Sequence, residues 1–251
     1  MVTNDDGITA PGMKALVEAM KELGDVIVVA PDKPQSGMGH AITIHSTLRI
    51  QKTNHYQVLK EFSSTGTPVD CVKIAINKIC PRTPDLCVSG INHGPNMSIN
   101  VIYSGTMSAA VEGAIEDIPS IGFSLCDYAL DANFETAKIL SKKIAGQVLV
   151  KGLPSGVCLN VNIPPLKLEE LKGIRVCRQA RSNWIEELDE RFDPNGQPYY
   201  WLTGKFVNFE EGDQETDAWA IDNNYVSVVP VQFDMTAHHA VPELKKFGYE
   251  N

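Results

Sequence analysis

Between Val2 and Thr106 the chain repeatedly runs an apolar, strand-like segment into a polar glycine-bearing loop and then into a helical pattern. No other feature constrains the fold more. Val2-Thr3 enters Asn4-Asp5-Asp6-Gly7 and then a helix from Pro11, where Met13, Leu16, Val17 and Met20 recur at helical spacing and Gly24 suits the end. Val26–Ala30 enters Pro34-Gln35-Ser36-Gly37-Met38-Gly39-His40. Leu86-Cys87-Val88 enters Ser89-Gly90-Ile91-Asn92-His93-Gly94-Pro95-Asn96, and Tyr103-Ser104-Gly105-Thr106 then opens a helix. Such alternation builds a mostly parallel sheet covered on both faces, an α/β fold that binds ligands at the carboxyl edge of its strands. All of these loops would point into one crevice there.

Thr67-Pro68-Val69-Asp70 has the cap, first-turn proline and acidic third position of a helix start. Helices are expected near Thr106–Asp117 and Phe134–Val148, and strands at Ile121–Leu125, Val157–Ile163, Ile174–Val176 and Tyr225–Val231, the last ending in Pro230. Ala41–Val58 alternates polar and apolar residues and reads as an inserted β-excursion, while Arg181–Asp217 is polar, aromatic and irregular, a β-rich appendage. The expected organisation is one unit over 1–251, with a core of about 1–150 plus 157–177 and 225–236 and an extension over about 178–224. Met1-Val2-Thr3 is short for an interior parallel strand, so the natural start is expected upstream of Met1.

Composition narrows the function classes. No run approaches the ~20 apolar residues that span a bilayer, and no basic segment precedes an apolar signal core, so a cytoplasmic protein without a membrane partner is expected. The six cysteines are scattered, as buried reduced thiols would be. A net charge of −9 argues against a nucleic acid polymer as partner, whereas a small anion remains compatible if a cation and a few dipoles reverse the field in one cleft.

The adjacent carboxylates of Asp5 and Asp6 repel each other unless a divalent cation relieves them, and hard oxygen ligands favour Mg²⁺ or Mn²⁺. The same residues also suit an ordinary Asp-Gly turn. Ser36 offers a further oxygen, although Gly37-Met38-Gly39 lacks the full glycine pattern of a nucleotide fingerprint and also suits a plain flexible loop. Asn92 and Asn96 offer neutral oxygens, and Ser104, Gly105 and Thr106 at a helix start make a phosphate cradle or merely a cap. His40 is placed to touch substrate; His45, His55 and His93 lack zinc spacing, and His238-His239 reads as solvated surface. No Gly-x-Ser-x-Gly elbow is present. Tyr103 or Trp184 can stack a base, with buried packing as the alternative.

Five motifs in order carry a resemblance: Thr3-Asn4-Asp5-Asp6-Gly7-Ile8-x-Ala10-Pro11-Gly12, Ala30-Pro31…Gln35-Ser36-Gly37, Gly66-Thr67-Pro68-x-Asp70-Cys71-Val72, Ser89-Gly90-Ile91-Asn92-x-Gly94-x-Asn96 and Tyr103-Ser104-Gly105-Thr106. Together they resemble the SurE family of survival-protein nucleotidases, with an extension into Ser227-Val228-Val229-Pro230 and Asp234-x-Thr236. The resemblance implies a Rossmann-like three-layer core with an extended β-hairpin and a C-terminal segment used in homodimer or homotetramer contacts. It implies hydrolysis of nucleoside 5′- and 3′-monophosphates, and of short polyphosphate in some members, with one Mg²⁺ or Mn²⁺ ion. Carried over by position, it implies metal ligation by Asp5, Asp6, Ser36 and Asn92 and phosphate contacts by Asn96, Ser104, Gly105 and Thr106.

The expected chemistry is in-line attack of water on phosphorus, with Asp5 or Asp6 taking its proton and N–H groups near Gly105 stabilising the charge. An aspartyl-phosphate through Asp5 ranks second, since a spaced Asp-x-Asp is absent. A non-catalytic nucleotide sensor using the same crevice, or a scaffold dominated by its C-terminal segment, are the alternative functions.

Overall fold

A computed structural model describes residues 1–248. The elements in order are β1 (Val2–Thr3), α1 (Pro11–Lys21), β2 (Ile27–Pro31), β3 (Ile50–Lys52), β4 (Lys60–Ser64), α2 (Pro68–Ile74), β5 (Cys87–His93), α3 (Gly105–Ile115), β6 (Ser120–Leu125) and α4 (Glu135–Lys151). They continue with β7 (Val157–Ile163), β8 (Gly173–Val176), β9 (Ser182–Phe192), β10 (Pro198–Asn208), α5 (Asp217–Asp222), β11 (Tyr225–Gln232) and α6 (Val241–Lys245). A π-helical turn over Ala75–Ile79 extends α2, and a 3₁₀ segment over Ser98–Ile102 precedes α3.

Nine strands form one sheet in the order β3-β4-β2-β1-β5-β6-β7-β11-β8. β4, β2, β1, β5, β6 and β7 run parallel, while the β3/β4 and β7/β11 pairs are antiparallel. The short β1 lies between β2 and β5, with Val2 opposite both Val28 and Val88 and Thr3 opposite Ser89. One face is covered by α1 and α4, which bury Met13, Leu16, Val17, Leu140, Ile144 and Val148 against Val28, Val88, Ile121 and Phe123. The other carries α2 and α3, whose Cys71, Val72, Met107, Ala109 and Ala110 pack in smaller clusters with Val29, Cys87 and Cys158. Hence the three layers, and the apolar character of the central strands on both faces.

Local chemistry explains the helix starts. In α2 the Thr67 side chain accepts from the Asp70 N–H and the Asp70 carboxylate accepts from the Thr67 N–H, a complete capping box. Ser104 caps α3 through the Met107 N–H, and Pro11 occupies the first turn of α1.

Four expectations are revised. The excursion over Ala41–Val58 is mostly irregular, contributing only the three residues of β3. The appendage expected over Arg181–Asp217 is β-rich, but residues 182–208 form a regular two-stranded ribbon rather than an irregular stretch. Pro230 lies inside β11, opposite Leu159; β8 pairs only as far as Val228, so the proline meets no second neighbour. Asn92 lies in β5, which continues past an irregularity between Ser89 and Asn92, and not in a loop. The cysteines are free, with Cys71, Cys87, Cys158 and Cys177 buried. Among the described residues no helix is long and apolar enough to cross a membrane.

Candidate active site

At the carboxyl end of β1, Asn4 donates to the Gly7 carbonyl, closing a tight turn, and Ile8 N–H bonds the Pro31 carbonyl at the end of β2. The turn presents Asp5 and Asp6 at the sheet edge. Asp5 is 3 % exposed. Its Oδ1 accepts from the Thr106 hydroxyl at 2.5 Å, so the first turn of α3 aims at it. Burial, then the neighbouring Asp6 charge, pushes the Asp5 carboxyl up to about 6, against the opposing effect of the Thr106 bonds. Asp6 is half-buried and its Oδ2 accepts from the His93 N–H at 3.2 Å; burial raises its carboxyl as well, opposed by that bond.

Asn92 completes the group. Its amide nitrogen donates to the Gly94 carbonyl, which turns Oδ1 to within 3.3 Å of the Thr106 hydroxyl. That hydroxyl has one proton and faces two acceptors, Asp5 Oδ1 and Asn92 Oδ1. Close by, Asn4 Oδ1 is buried without a hydrogen-bond partner. The set is rich in oxygen acceptors and poor in donors, the composition that suits a hard divalent cation. Among the described residues there is no group of three or more His, Cys, Asp and Glu side chains fit for a metal, so such a site rests on two carboxylates and neutral oxygens.

Ser36 is exposed on the loop after β2. The loop is fastened beside the carboxylates, because Gln35 N–H donates to the Asp5 carbonyl at 2.7 Å and Gly39 N–H to the Tyr103 carbonyl at 3.2 Å. Ser104, Gly105 and Thr106 form the buried first turn of α3, with no room at Gly105 for a side chain beside Asp5.

Asn96 belongs to a buried ladder. Its N–H donates to Asn162 Oδ1, its carbonyl accepts from Asn160, its amide donates to Ser124, and Asn162 donates to Asn160. The Asn96 amide donor is therefore engaged with the sheet. Asn160 and Asn162 were not expected at the site; their signal is asparagine at alternate positions of a β-branched strand, where it is disfavoured. His40 bonds Glu112, and not the crevice, because α3 brings that carboxylate under the loop. His93 bonds the Ala129 carbonyl and packs edge-on against Phe134. Tyr103 stays exposed, Trp184 donates to Asn100 and meets Phe206, and His238 pairs with Asp234 at the surface.

Comparison with known proteins adds to this geometry. A family profile described as "Survival protein SurE" matches residues 1–186. A "5'-nucleotidase SurE" of Christiangramia forsetii is 64 % identical over 250 residues, covering 99 % of this chain and 96 % of that protein. One from Flavobacterium psychrophilum is 61 % identical over 248 residues, covering 98 % and 96 %. The crystal structure of the SurE protein from Aquifex aeolicus superposes with a TM-score of 0.86 at 40 % identity, covering 98 % of each chain.

Proposed function

The chain belongs to the SurE family, and from that premise we propose that it is a 5′-nucleotidase that hydrolyses nucleoside monophosphates to nucleoside and phosphate at the Asp5–Asn92–Thr106 crevice. The observation that carries the reading is the convergence of Asp5, Asp6 and Asn92 oxygens beside the first turn of α3, with more acceptors than donors. The same crevice addresses the phosphoryl group rather than the sugar, so 3′-monophosphates and short polyphosphate fall within the proposal.

One Mg²⁺ or Mn²⁺ ion, held by Asp5, Asp6, Ser36 and Asn92, would supply neutralising charge for the phosphoryl oxygens. The chain's own groups do the rest. Thr106 fixes the Asp5 carboxylate from the helix side. Asp6, more open than Asp5 and bonded to His93 through Oδ2, accepts through its other oxygen the proton of the attacking water. N–H groups at the start of α3, around Gly105, stabilise equatorial charge on phosphorus. The burial of Asp5 and its bond to Thr106 speak against a role as nucleophile. Asn96 shapes the crevice floor through its ladder.

A homo-oligomer fits the ribbon of β9 and β10, on one face of which Leu188 lies opposite Leu202, exposed by 66 % and 72 %. Trp184 and Phe206 continue that face. An isolated two-stranded ribbon is marginal in water, and a second copy would cover it.

The test is phosphate release from nucleoside monophosphates with Mg²⁺, Mn²⁺ or chelator, in wild type, Asp5→Asn and Asp6→Asn. Metal-dependent release lost in both variants supports the reading. A folded, metal-binding wild type that releases none overturns it and favours a nucleotide sensor.

A further inference from the structure

Residues 35–43 have no helix or strand of their own, and they carry the exposed Ser36 between backbone ties to Asp5 and Tyr103. Loops of this kind hold a shape only through contacts to the scaffold. Gln35 and Gly39 are tied by backbone bonds to Asp5 and Tyr103. Beyond them the Ala41 carbonyl accepts from Thr67, and Thr43 donates twice to Asp70, so the capping box of α2 also grips the loop.

Between these ties stands Glu112. It projects from the body of α3, caps nothing, and is 2 % exposed. Its Oε2 meets His40 Nε2 at 3.0 Å, and its Oε1 takes the ammonium of Lys73 from α2. Burying a carboxylate is costly unless it is paired and bonded, and an alanine there would pack α3 onto its neighbours without that cost. A charge at this place is explained by what it holds. His40 is 38 % exposed and lies on the surface segment, so Glu112 is the fixed end of the contact. Gly37 and Gly39, both at positive φ, separate Ser36 from His40, and such a flexible stretch keeps one conformation only if both ends are fastened.

We propose that Glu112 is a positioning residue that fastens the Ser36 segment over the crevice through His40, with Lys73 as its counter-charge. The functional part rests on the reading of Asp5, Asp6, Ser36 and Asn92 as a cation site; the fastening itself does not.

The experiment compares wild type, His40→Ala, His40→Gln, Glu112→Gln and Ser36→Ala. Amide hydrogen exchange is followed in chelated protein, and Mn²⁺ affinity by electron paramagnetic resonance. Loss of a bond to a charged group predicts about tenfold or greater faster exchange over residues 36–41 in His40→Ala, with α3 and α4 unchanged. His40→Gln, which can still donate to Glu112, restores most of the protection, and Glu112→Gln falls between. Mn²⁺ binding weakens in His40→Ala by about the factor seen in Ser36→Ala, roughly tenfold. Wild-type exchange in His40→Ala would overturn the fastening. Faster exchange with unaltered Mn²⁺ affinity, while Ser36→Ala weakens it, would overturn the functional part. Unaltered affinity in Ser36→Ala would instead overturn the ligand role of Ser36, and with it the reason for fastening the segment.

Discussion

Gly105 and Asp5 approach so closely that a Cβ on the glycine would stand 2.7 Å from the Cβ of Asp5 and 2.9 Å from its Oδ2. The first turn of α3 is thereby laid directly on the carboxylate, and the helix cannot move without moving it. Gly105→Ala should displace Asp5 by about 1 Å, which at the proposed reacting centre lowers kcat/KM by about 100-fold. Steady-state phosphate release together with circular dichroism separates this from unfolding: helical content should stay at the wild-type value.

The proposed mechanism gives the two carboxylates different work, and the variants should differ accordingly. Asp6→Asn removes the proposed proton acceptor and should lower kcat by about 10³-fold while retaining weakened Mn²⁺ binding. Asp5→Asn alters the more buried of the two proposed ligands and should abolish detectable Mn²⁺ binding and turnover together. Titration calorimetry with Mn²⁺, run beside the activity assay, reads both; equal Mn²⁺ affinity in wild type and Asp5→Asn would count against the assignment.

The asparagine ladder makes a prediction about stability. Asn162→Ala strands the Asn96 N–H and one acceptor of Asn160 inside the sheet, at a cost of about 2–3 kcal/mol. Urea denaturation should show a lower midpoint with an unchanged slope, and residual turnover should carry a raised KM.

The Glu112 cluster makes one about acid. Burial raises the Glu112 carboxyl, but bonds from His40 and Lys73 outweigh it and hold the group below its ordinary value of 4.5. Because the folded-state value is depressed, the contribution is complete above the unfolded value and is lost as pH falls through the folded one. The stability gap between wild type and Glu112→Gln should therefore be flat above about pH 5 and should close on further acidification. Thermal melts of both proteins from pH 3 to pH 8 measure it.

The apolar face of the ribbon predicts assembly. Leu188→Asp with Leu202→Asp places like charges directly across the ladder and removes its apolar contact. Light scattering on a sizing column should then report a smaller species than wild type. A wild type that already runs as a monomer would remove the basis for this reading.

Much of the fold was legible because its signals are local and mutually consistent. Pro11, the Thr67/Asp70 box and the strand at Val157–Ile163 read directly from capping chemistry and β-branched runs. Lys60–Ser64 was not legible as a strand, since a polar sequence is made into one only by pairing with β2 and β3. The appendage over β9 and β10 was legible as β-rich but not as two regular paired strands: its charges and aromatics show no clean alternation of burial. At the site, Asp5, Asp6, Asn92 and Thr106 announced themselves as polar groups at strand and helix ends, and the structure brings them together. Glu112, Asn160 and Asn162 did not, because they sit in the body of a helix or strand rather than at its end, and their partners His40 and Asn96 lie 64 to 72 positions away in the chain.

The bond between Thr106 and Asp5 joins residues 101 positions apart. A ribosome adding about 5–20 residues per second needs on the order of 5–20 s to go from one to the other, and longer before the second clears the exit tunnel. Throughout that interval the aspartates are already made, but the surface that orders them is not, so a nascent chain stopped before α3 should carry the acidic pair and turn over nothing. The acidic pair waits on a helix made long after it.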